Sequence, residues 1–127
     1  MVSMLTDEKI KAGESLIREV DTSDIVIEAA LWFYFKDQES WKLMLSIKGI
    51  EQQGPKFLYS KLQKILLKEK IKKALSLSDI ALARPNSPLL NLLRVAIRTG
   101  PGISGIRFTG NVINGQLIPD AYIYRLL

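Results

Sequence analysis

The chain has 127 residues, 47% of them hydrophobic and 24% charged, with a formal net charge of +5. That composition fits one globular domain over residues 1–127, large enough to bury a core without staples. There is no cysteine and no histidine, which excludes disulfide scaffolds, zinc fingers, iron–sulfur sites and all Cys-His or Ser-His-Asp catalysis. No cofactor and no metal site is indicated, and an enzyme on this chain would have to work through carboxylates, Lys, Tyr or Ser.

The first ten residues hold Asp7 and Glu8 and no basic stretch leading into an apolar run, so no secretory leader is expected. The longest apolar stretch, Ile25 to Phe35, is eleven residues with Glu28 inside it. A membrane span needs about 20. The expectation is a cytoplasmic protein with no membrane contact.

Thr6 is placed to cap a first helix over residues 7–20, with Asp7 and Glu8 in its first turn and Leu5 and Ile10 at the staple positions. Ile10, Gly13, Ile17 and Val20 mark its buried stripe. Ile25 to Phe35 is apolar in both parities and predicts a central strand covered on both faces. After the polar turn Lys36 to Ser40, the alternation of Trp41, Leu43, Leu45 and Ile47 with Lys42, Met44, Ser46 and Lys48 predicts a half-exposed antiparallel partner.

Gly49 to Gly54 reads as a loop and Pro55 as the first position of a second helix, whose apolar stripe is Leu58, Leu62, Ile65 and Leu66. Leu75 to Ala83 predicts a third strand. Asn86-Ser87-Pro88 then opens a third helix, apolar nearly all round, that stops at Gly100-Pro101 and should be buried on more than one side. Asn114-Gly115 marks a closing hairpin between a strand led by Ile106 and Phe108 and one over Ala121 to Leu126, with Pro119-Asp120 interrupting or bending the return. The order α-β-β-α-β-α-β-β, with two crossover helices, predicts a single mixed sheet of about five strands with three helices packed on it, of the α/β or α+β class.

Charge is unevenly distributed. Residues 1–51 hold ten carboxylates against six bases, and residues 52–127 three against twelve. Within the basic part, Lys61, Lys64, Lys68 and Lys72 recur at helical steps beside the apolar stripe, as a row of phosphate contacts would; the same row serves equally as a solvated helix face. Arg94 and Arg98 lie one helical turn apart, and Arg107 follows a glycine loop. Guanidinium forks beside free backbone N–H groups suit a phosphate or carboxylate, while pairing with the acidic half is the structural alternative. Gly100-Pro101-Gly102-Ile103-Ser104-Gly105 matches G-x-G-x-x-G, but it follows a helix and precedes a strand, the reverse of a dinucleotide site.

Glu28, Asp37 and Glu39 surround the first hairpin without the spacing of a metal-dependent nuclease. Core packing accounts for Trp32, Phe33, Tyr34, Phe35 and Trp41. The sequence therefore points to a small non-enzymatic module that binds an anionic partner, nucleic acid among the candidates. Lys61, Lys64, Lys68, Arg94, Arg98 and Arg107 are the candidate contacts. The alternative is a protein-interaction or self-assembling module without nucleic-acid binding.

Overall fold

The Thr6 hydroxyl accepts the Lys9 N–H at 3.2 Å in the computed structural model, which describes residues 4–127, and α1 runs Asp7–Asp21. Its stripe of Ala12, Gly13, Leu16, Ile17 and Val20 is buried. Ile27–Phe35 (β1) and Ser40–Ile47 (β2) form the expected hairpin, with Phe35 opposite Ser40 and Ile27 opposite Ile47. Between them Lys36–Gln38 makes one 3-10 turn.

Gly49 to Gly54 is not an open loop, because Ile50–Gln53 makes one helical turn, α2, that buries Ile50. Pro55–Leu66 is α3, with Pro55 in its first turn and Leu58, Leu62 and Leu66 buried. The helix then breaks: Lys68 is extended, and Glu69–Lys72 forms a separate turn, α4, that buries Ile71. The third strand is shorter than expected. Leu77–Asp79 is a 3-10 turn closed by a Ser76–Asp79 capping box, which leaves only Ile80–Ala83 as β3.

Ser87 caps Pro88–Ala96 (α5) through the Leu90 N–H at 3.2 Å. Ile97 is already extended, so α5 ends well before Gly100. Ile106–Ile113 (β4) and Gln116–Leu126 (β5) close the chain through Asn114 and Gly115, both at positive φ.

The five strands form one mixed sheet in the order β3-β2-β1-β5-β4, and helices on both faces make the protein α+β. Only β2 and β3 are parallel. The second βαβ unit expected from the element order does not form: α5 carries the chain from β3 at one edge of the sheet to β4 at the other, and β4 runs antiparallel to β3.

One face packs Ile27, Trp32, Leu43 and Leu45 against α1, α3 and α4. The other packs Leu31, Phe33, Ile123 and Leu126 under Leu90 and Leu93 of α5. The third helix is thus buried on one side only, and Val95 is exposed. Conversely the inner part of β2 is buried on both faces, because Leu43 and Leu45 pack into the α1 side while Met44 packs into the core under α5.

Two irregularities shape β5. Its register on β1 slips between Ala30–Arg125 and Leu31–Ile123, a bulge that turns the adjacent Tyr124 and Arg125 toward the same helix, α1. Farther out, β1 pairing stops at Ala121, and Pro119 faces Gly110, which is at φ +60°. Pro119 interrupts no β1 ladder there, so the strand continues as a two-stranded arm. The alternation of faces reverses at this point, bringing Ile113 and Ile118 into the core on the α5 side.

Candidate functional site

The six candidate cations do not form one surface. Lys61 and Lys64 stand on α3, on one face of the sheet, whereas Arg94 belongs to α5 on the other. Arg98 lies beyond the end of α5, so the helical turn expected to align it with Arg94 is absent.

Three of the six are engaged within the molecule. Arg94 donates to the carbonyls of Leu127 at 2.7 Å and Pro85 at 2.8 Å. Arg107 grips Asp120 with two bonds of 2.7 and 2.6 Å, and its guanidinium lies 5.5 Å from the Trp41 ring centroid. This fork holds the Asp120 carboxyl below its ordinary range, and the same bond raises Arg107. Lys68 pairs with Glu19 at 2.8 Å and thereby lowers the Glu19 pKa, with Lys70 at 3.7 Å from the same carboxylate. Lys72 pairs with Glu69 at 2.9 Å. The break after Leu66 removes Lys68 and Lys72 from the row begun by Lys61 and Lys64.

What remains is the outer side of α3. Phe57, Lys61 and Lys64 follow at steps of four and three, and so share a side of the helix away from Leu58 and Leu62. Phe57 is 47% exposed, with the Lys61 ammonium 5.0 Å from its ring centroid. Among the described residues, Lys56, Lys61, Lys64 and Lys73 have no ion-pair partner, and neither does Arg98.

The glycine run lies between α5 and β4, tied to the end of β5: Thr99 N–H donates to Leu126 and Ser104 N–H to Tyr124, both at carbonyl oxygens. It leads into no helix, so it presents no helix dipole to a phosphate. Asp37 and Glu39 are exposed in the hairpin turn, and Glu28 is half-buried at a bulge between Ile27 and Ala29. No three His, Cys, Asp or Glu side chains among the described residues come together as a metal would require. No helix among them is long and apolar enough to cross a membrane.

Sequence reasoning missed Tyr124 and Arg125. Arg125 is 4% exposed, forks onto Asp21 at 3.0 and 2.8 Å, and reaches the carbonyls of Ile27 and Gly102. A lone arginine in the run Ile123 to Leu127 was the available signal, because a cation in an apolar strand needs a buried partner. Its satisfied donors make it a structural tie between the acidic and basic halves. Compared with protein-family models, curated proteins and solved structures, the chain matches none.

Proposed function

We propose that the protein is a small binding module that takes a nucleic-acid backbone on the outer side of α3. The carrying observation is the exposed Phe57 with Lys61 stacked on its ring and Lys64 one turn on, none of them neutralised by a carboxylate. Cations beside an open aromatic face suit a single strand, whose phosphates take the charge and whose bases stack. Lys56, in the first turn of the same helix, extends the positive field, and Arg98 lies outside the site.

Fluorescence anisotropy of labelled single- and double-stranded DNA and RNA at several salt concentrations tests this. Three phosphate contacts on a single strand predict a log–log salt slope of about −2. Lys61→Glu with Lys64→Glu should abolish binding, and Phe57→Ala should weaken single-strand binding by about tenfold. No binding at low salt overturns the reading.

A second reading rests on a different observation. Val112 and Leu117, cross-strand partners near the arm tip, are 66% and 55% exposed, and Val95 of α5 is exposed as well. Exposed apolar side chains of this kind favour self-association. It predicts a dimer by light scattering that Val112→Lys dissolves, together with no affinity for nucleic acid.

A further inference from the structure

β2 and β3 are parallel, so both present their carboxyl ends at one end of the sheet, where Ser46 faces Ala83. In open α/β sheets the crevice outside the carboxyl ends of parallel strands holds the ligand, and this one parallel pair offers the same local geometry. Here the chain leaves β2 through Lys48 and Gly49 into α2, and leaves β3 through Arg84 and Pro85 toward α5. Between the two exits lies a chamber of about 520 Å³, open to solvent, and a second of about 350 Å³ beside Glu28 and Lys48 shares Ile50 and Glu51 with it as lining. Both volumes fall in the range of small-molecule sites.

The larger chamber is lined by Ile50, Glu51, Pro55, Tyr59, Leu82 and Arg84. Three are apolar walls, and the other three carry one negative charge, one positive charge and one hydroxyl. Glu51 and Arg84 make no ion pair or hydrogen bond through their charged groups among the described residues, with each other or with anything else. The Tyr59 oxygen accepts the Leu82 N–H at 3.2 Å, and its own proton has no acceptor. Opposite charges stand around one cavity without meeting, beside an unspent donor and an apolar wall.

We propose that this crevice binds a small zwitterion, an apolar amino acid or short peptide, whose carboxylate is taken by Arg84 and the Tyr59 hydroxyl and whose ammonium is taken by Glu51. The apolar side chain rests on Ile50, Pro55 and Leu82, and a second residue of a peptide extends toward Lys48 and Glu28. The site is separate from the lysine side of α3: Tyr59 is two residues from Phe57, about 200° round the helix.

Isothermal titration of the full chain with leucine, phenylalanine and leucylleucine tests it, with N-acetyl-leucine lacking the ammonium and leucinamide lacking the carboxylate. Each analogue should bind at least about tenfold more weakly than leucine, the worth of one charge-assisted hydrogen bond. Arg84→Gln should weaken leucine by a similar factor and leave leucinamide unchanged. Glu51→Gln should weaken leucine and leave N-acetyl-leucine unchanged. Circular dichroism should be the same for all three proteins, since neither side chain supports the fold. No saturation by any zwitterion at about 10 mM, N-acetyl-leucine binding as well as leucine, or indifference to both variants overturns the proposal. Nucleic-acid affinity, read on the same variants, belongs to the lysine face and should not change.

Discussion

Tyr124 uses one hydroxyl twice: it accepts the Trp32 indole N–H at 3.0 Å and donates to the Ile10 carbonyl at 2.6 Å. Gly13 lets it in, because a Cβ there would sit 2.5 Å from the phenol oxygen. In an ordinary helix Gly→Ala stabilises by about 1 kcal/mol. Gly13→Ala should instead lower the urea midpoint, and part of the loss should return in a Tyr124→Phe background, where the clashing atom is gone. Tyr124→Phe alone leaves the Trp32 N–H buried without a partner and should cost about 2 kcal/mol. Burial also pushes the Tyr124 pKa well up. A raised phenol contributes stability that is complete below the unfolded value near 10 and is lost as pH rises above it. Urea unfolding at pH 8 and about 10.5 should therefore show a shallower alkaline decline for Tyr124→Phe than for the parent. Of these features only Gly13 was legible in the sequence, as a glycine in a helical apolar stripe. Its partner was not, because a bulge that sends Tyr124 and Arg125 to one side cannot be read from alternation.

Among the elements, the most informative is the break between α3 and α4. Every residue from Lys61 to Lys73 tolerates a helix, so propensity extends α3 without interruption. Geometry forbids it. Nine residues at about 100° each put Ile71 half a turn round from Leu62, facing water. The chain instead becomes extended at Lys68, and Ile71 is fully buried against the α1 side of the core. Ile71→Ala should cost about 3 kcal/mol in urea unfolding. A cost below about 0.5 kcal/mol would mean that the turn is not anchored by that side chain. The same tertiary override explains why the lysine row was only half legible. Lys61 and Lys64 keep their helical spacing, while Lys68 and Lys72 are carried off by a contact that no local pattern encodes. The pairing of the first hairpin, by contrast, was legible, because alternation in β2 and a short polar turn fix its register locally; the burial of both faces of β2 was not, because the cover of its second face comes from the distant α5. Pro119 does not interrupt the strand, because a proline is harmless where a strand has no second neighbour, but the alternation of faces does reverse there.

At the scale of the molecule, the sheet divides the charge. Lys61 and Lys64 lie on one face and the α5 arginine on the other, so the net charge of +5 is not a property of one surface. Arg98→Glu and Lys64→Glu change that net charge equally. If position governs, Lys64→Glu should lower single-strand affinity by about tenfold at low salt, while Arg98→Glu should change it by less than about twofold. Equal losses would show that long-range attraction alone accounts for binding.

The β5 bulge has a consequence for how the chain reaches this shape. Through Tyr124 and Arg125 it holds α1 at Ile10 and at Asp21, contacts spanning 114 and 104 residues of sequence. β1 also has β2 on one side and only β5 on the other. During synthesis α1 and the first hairpin emerge early, with the central strand open along one edge until the final eleven-residue strand arrives. Closing such distant contacts is slow relative to local hairpin formation. A chain made only that far leaves β1 unpaired along one edge and α1 without its Tyr124 and Arg125 contacts, and an open strand edge is a template for aggregation.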